Sequence, residues 1–128
     1  MKLEQRAQQF WPVLVFAARE QKLISYAMLS QMTGSPDVSD TEIALHSIFC
    51  YCKQHNLPAL NVIVIDEVTG QPGTECRVDF RDVAAQQSSV FLYDWLNHPA
   101  PSDDMFQEAL ANDMEMEMAN AGYVALSC

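Results

Sequence analysis

His46, Cys50, Cys52 and His55, all within HSIFCYCKQH, are the densest gathering of side chains able to hold a metal or attack an electrophile. At about 100° of turn per helical residue, His46 and Cys50 share a face, whereas Cys50 and Cys52 point roughly 160° apart. Four ligands do not converge from one straight helix. A zinc site would need Cys76 or His98 to come in from elsewhere, and structural zinc more often sits on C-x-x-C knuckles in loops. His46 and Cys50, four residues apart, are within reach of one another as a Cys–His nucleophile pair, but no third group or oxyanion hole accompanies them. Asp66 and Glu67, beside the turn TGQPG, are the place for a carboxylate pair doing acid–base work or, more simply, the polar rim of a strand. TGQPG lacks the lysine of a phosphate-cradling loop. The expectation is a non-enzymatic protein with no catalytic residue, no metal and no cofactor.

The cysteines Cys50, Cys52, Cys76 and Cys128 are irregularly spaced in a chain of 128 residues, long enough to fold without staples. Free thiols in a reducing compartment follow. Of Cys50 and Cys52, one is expected to pack as a small hydrophobe and the other to lie at the core margin. No apolar run reaches the roughly 18 residues that cross a bilayer, and MKLEQRAQQFW has acidic and amide residues where a signal peptide would place its apolar core. A cytoplasmic protein of one domain, 1–128, with no membrane association is the expectation.

These residues need elements to position them. Leu3, Ala7, Phe10, Leu14, Ala17 and Ala18 recur at helical spacing and predict a helix over 3–22 with Trp11 in the core. Pro12 inside it predicts a kink near Phe10 or a helix start at Trp11. Ser25 is the expected N-cap of a helix over 26–32, stopped by Gly34 and Pro36. Ser39 or Asp40 is expected to cap a third helix, whose apolar set, Ile43, Ala44, Ile48, Phe49, Tyr51 and Cys52, predicts burial on more than one side. Asn56 and Pro58 end it. LNVIVID, 60–66, reads as a central buried strand; EVTGQPG turns, and 74–80 is expected to return as a hairpin strand. Helices are predicted over 82–95, through Val83, Ala84, Val90, Phe91 and Trp95, although VFLYDW by itself also fits a strand, and over 103–118 with Ser102 as N-cap and Phe106, Ala109, Leu110 and Met114 inward. Met114, Met116 and Met118 cannot all be buried by one helix face: either the helix ends near Glu115, or a soft apolar patch is left for a partner.

Charge is one-sided. Residues 1–33 carry a net +2, residues 34–66 a net −3, and residues 67–128 set Arg77 and Arg81 against eleven acids, a net −9 of the total −10. After Arg81 there is no Lys or Arg. Such a field repels nucleic acid and draws in a basic partner, although acidity also serves solubility alone.

ISYAMLSQMTGSPDVSDTEIALHSI followed by NLPALNVIVIDEVTGQPG resembles in layout the winged-helix domain of alkylguanine-DNA alkyltransferase-like proteins. The resemblance spans about fifty residues and implies architecture. The family's Pro-Cys-His-Arg acceptor motif would fall at Pro58-Ala59-Leu60-Asn61, so methyl transfer is excluded. The arginine that displaces a base would fall near Thr41 to Ala44, where there is none.

The fold expected is α+β and winged-helix-like: three N-terminal helices, a small sheet and C-terminal helices. The function expected is an acidic protein-binding module, in the manner of an immunity protein, an antitoxin or an inhibitor of a basic nuclease or defence protein. Its surface for a Lys/Arg-rich partner is Asp94, Asp103, Asp104, Glu108, Asp113, Glu115 and Glu117. The alternative is a winged-helix nucleic-acid binder that gathers Arg6, Arg19, Lys22 and Lys53 on one side. Oligomeric state is left open.

Overall fold

Helix α1, Leu3–Arg19, buries Ala7, Phe10, Trp11, Leu14, Ala17 and Ala18 as one stripe, the face that their spacing dictates. The fold is that of a computed structural model describing residues 3–34, 38–72 and 82–119, with the side chains of 5–34, 41–72 and 82–112. Pro12 lies inside α1 on its exposed side, and the helix runs through it from Leu3, so no separate start at Trp11 exists. Gln21, in the left-handed region at φ 56°, closes α1. Lys22 N–H reaches Ala17 C=O at 2.9 Å and Gln21 N–H reaches Ala18 C=O at 3.0 Å, the paired bonds of a Schellman ending.

Ile24–Ser25 form a short strand, β1, and α2 follows over Tyr26–Thr33. Ser25 caps α2 as expected, its hydroxyl accepting Met28 N–H at 3.1 Å, and Gly34 at φ 69° ends it by donating to Ser30 C=O. Helix α3 spans Val38–Gln54. It begins at Val38, upstream of Ser39 and Asp40, which therefore belong to its first turn instead of capping it. Asn56, at φ 57°, ends α3 as α1 is ended, with Leu57 N–H on Cys52 C=O at 2.8 Å.

The apolar run after Pro58 departs from expectation. Leu60–Ile63 is a 3-10 turn, and only Val64–Ile65 is strand, β2. β2 pairs parallel with β1, Ile24 opposite Val64 and Ser25 opposite Ile65. An unbroken apolar run states burial but not extension, and here Leu60, Val62, Ile63 and Val64 are all fully buried. A strand in a one-sided sheet would alternate; a 3-10 turn enclosed by α1, α3 and α4 buries consecutive residues. The chain then reverses at Asp66–Gln71 and bridges Ile65 to Pro72 in antiparallel sense. The second strand expected at 74–80, with Cys76, lies outside the described residues, as does Cys128.

Helix α4 spans Val83–Leu92, a 3-10 turn covers Trp95–Asn97, and α5 runs Asp103–Ala119. Trp95 thus lies beyond α4, its indole N–H folded back onto Val90 C=O at 2.8 Å. Helices α1, α3 and α5 pack on one another around Trp11, Tyr51 and Phe106. The result is α+β: five helices among the described residues and one small parallel sheet.

Candidate functional site

Helix α3 is buried on two sides. Cys50 and Cys52, pointing to opposite sides, are both 0 % exposed, so the expected split between a packed thiol and a marginal one does not hold. Both are free thiols. Cys50 Sγ lies 3.5 Å from His46 Nε2, the contact that their spacing allows. Burial pushes the Cys52 thiol up to about 12, against a smaller opposing hydrogen bond from the Leu60 backbone. At neutral pH Cys52 is a protonated, enclosed thiol and no nucleophile. Among the described residues no three His, Cys, Asp or Glu side chains gather to hold a metal.

Asp66 is engaged locally. Its carboxylate accepts Val68 N–H at 2.7 Å and Thr69 N–H at 3.1 Å, while its backbone carbonyl takes Gly70 N–H at 2.7 Å. Gly70, at φ 70°, occupies a conformation that a side chain would strain. The carboxylate therefore builds the reversal after β2.

His55 turns away from His46 and Cys50. It stacks on the ring of Tyr51 with centroids 4.2 Å apart and 27° between planes. Tyr51, 4 % exposed, reaches across to the segment between α4 and α5, where its hydroxyl and His98 Nε2 share a hydrogen bond of 2.9 Å. Trp11 stands against this pair: its ring lies 5.6 Å from Tyr51, 5.7 Å from Trp95, 5.9 Å from Phe106 and 6.0 Å from His98. Desolvation, with His55 adding, lowers the His98 pKa from its ordinary value. Desolvation also raises that of Tyr51, with Cys52 and Tyr93 contributing. The pair thus favours a neutral imidazole bonded to a neutral phenol. Tyr51, on α3, and His55, the residue after its end, are four apart and carried a helical-spacing signal; His98, 47 residues from Tyr51, carried none.

The carboxylates expected to form a partner surface divide in two. Asp94, Asp104 and Glu108 are exposed and Asp103 is half-buried; the side chains of Asp113, Glu115 and Glu117 lie outside the described residues, as do those of the methionines after Asp113. Asp94 accepts Asn97 Nδ2, and Asp103 Oδ1 accepts Asp104 N–H at 2.9 Å. Ser102 starts α5, its backbone carbonyl receiving Met105 N–H at 3.1 Å and its hydroxyl lying 3.4 Å from the same N–H. Asp104 and Glu108, one turn apart, lie on the side of α5 opposite Phe106 and Ala109, which face the core. None of these four carboxylates meets a Lys or Arg among the described residues.

The same segments also expose large apolar side chains, which helical spacing alone does not reveal. Leu92 is 80 % exposed, Leu96 66 % and Met105 50 %. Arg6 and Arg19, on one helix, are thirteen residues apart, about 20 Å along the axis. No protein-family model, curated protein or solved structure matches the chain.

Proposed function

We propose that the protein is an acidic protein-binding module, of the immunity-protein, antitoxin or nuclease-inhibitor kind, that takes a Lys/Arg-rich protein partner on the outer face of Asp94, Asp103, Asp104 and Glu108. The supporting observation is Asp104 and Glu108 standing one turn apart on the exposed side of α5 without a counter-charge among the described residues. A like-charge pair at this spacing costs an isolated helix about 0.2–0.5 kcal/mol. A basic partner reverses the sign of that term and is drawn in faster by a chain of net charge −10. The same proposal takes the architecture as winged-helix in type, supported by the order α1, α2, α3 and then the 3-10 turn and β2. The test is capture from the native cell by wild type and by the triple charge reversal D94K/D104K/E108K. The wild type retains a basic protein that the variant loses; equal capture overturns the reading.

The alternative is a nucleic-acid binder, for which the contact of α2 with α3 in helix-turn-helix order speaks. The roughly 20 Å between Arg6 and Arg19 along α1 weighs against a single basic patch. Absence of a gel shift at low salt removes it.

A further inference from the structure

We propose that His55, Tyr51 and His98 form a pH-sensitive latch between α3 and the stretch joining α4 to α5: acid charges both imidazoles on one tyrosine and loosens that stretch while the helices stay packed. The three rings are gathered at short range. His55, just past the end of α3, keeps its N–H on Tyr51 C=O at 3.1 Å, and its ring lies on that of Tyr51 at 4.2 Å. His98 meets the same tyrosine from the stretch between α4 and α5, its ring 5.8 Å away and its Nε2 sharing a hydrogen bond of 2.9 Å with the hydroxyl. Pro99 and Pro101 have no backbone N–H to give, and the N–H groups of Asn97 and His98 return to Asp94 and Trp95 within the 3-10 turn. Side chains therefore fasten the stretch to the core, Trp95 against Trp11 and His98 on Tyr51.

Protonating His98 does not by itself abolish the bond to Tyr51, because Nε2–H then donates to the phenol oxygen. What changes is the charge. Around the pair stand Trp11 from α1, Trp95 from the 3-10 turn and Phe106 from α5, none of them titratable. The titratable neighbours are His55, the neutral thiol of Cys52, and Tyr93, which packs on Trp95 at 4.6 Å. The acids nearest in sequence, Asp94 and Asp103, bond instead to Asn97 and to Asp104 N–H. Burial and then the charge of His55 lower the His98 pKa, and no carboxylate is among the causes. A cation against the Trp11 ring gains some attraction, but the direction of the shift means that lost solvation outweighs it. An imidazole ordinarily takes up its proton as pH falls through about 6.5. Below that, two like charges on one tyrosine are relieved when His98 turns to water, and the stretch leaves α3 with it.

Amide hydrogen exchange of the full chain, read by mass spectrometry at about pH 7.5 and pH 5, either side of the ordinary imidazole value, tests the latch. Each peptide's rate is divided by its intrinsic rate at that pH. Wild type is expected to lose protection over 93–102 at the lower pH, while α1 peptides around Leu14 keep theirs. In H98Q, whose glutamine can still bond Tyr51 but takes up no proton, protection over 93–102 is expected to be the same at both pH values. An NMR titration of the His98 ring reads the coupling directly: its midpoint is expected to rise in H55Q, because a neighbouring cation has been removed. The proposal is overturned by wild-type protection over 93–102 that does not fall in acid, by a fall that persists in H98Q, by a fall spread equally over α1 and α3, or by a His98 midpoint unmoved in H55Q. Circular dichroism checks the fold of H98Q; if it does not fold, the wild-type exchange and the H55Q titration decide the matter.

Discussion

Trp11→Ala is the most demanding test of the packing described above. The indole is 2 % exposed and touches the rings of Tyr51, Trp95, His98 and Phe106, so it joins α1 to α3, to α5 and to the segment between α4 and α5. Truncating a buried aromatic to Ala costs about 3–5 kcal/mol, and pairs of rings add about 0.5–1.5 kcal/mol each beyond area alone. With four ring partners the loss belongs at the upper end, about 4 kcal/mol or slightly more. That is a large share of the roughly 5–15 kcal/mol by which domains are stable. For 128 residues at about 2.1 cal/mol/K each, the unfolding entropy is about 0.27 kcal/mol/K, so Tm falls by about 15 °C. Thermal and urea melts followed by circular dichroism measure this, with Phe16→Ala on the same helix as control. Phe16 is 62 % exposed, and its removal should stay within about 0.5 kcal/mol. A Trp11→Ala loss below about 1 kcal/mol, or a Phe16→Ala loss of equal size, refutes the arrangement of rings around Trp11.

His98 and Cys52 supply two further tests. Because the folded His98 resists protonation, its contribution to stability is complete above the ordinary imidazole value of about 6.5 and is lost as pH falls from there through its lowered folded value. His98→Gln should lose less stability than wild type in urea titrations compared at about pH 7.5 and pH 5, which bracket that ordinary value; an equal or steeper loss contradicts the half-buried Tyr51–His98 contact. Cys52, enclosed and pushed up to about 12, should escape iodoacetamide in the native protein and react in denaturant, as read by peptide mapping. Native labelling at the denatured rate would place the thiol at the surface.

What could be read from the chain was local. The inner stripe of α1, the Ser25 cap and Gly34 stop of α2, the ending of α3 at Asn56 and the Ser102 start of α5 each depend on residues within a turn or two of one another. Their spacing and side-chain chemistry are complete in the sequence. Leu60–Ile63 is the instructive departure: a β-branched run states that it is buried, but whether it extends or turns is decided by what encloses it, here α1, α3 and α4. The parallel pairing of Ile24 with Val64 is of the same kind, because only tertiary packing brings two-residue strands forty residues apart into register.

The candidate surface divides along the same line. The carboxylates and the absence of any cation after Arg81 stand in the sequence itself, since charge is additive along a chain. That Leu92, Leu96 and Met105 are exposed while Trp95 and Phe106 are buried against Trp11 was decided only by the tertiary packing. The pairing of Tyr51 with His98 was decided in the same way, by α3, α5 and the segment between α4 and α5 meeting around the buried Trp11 indole of α1.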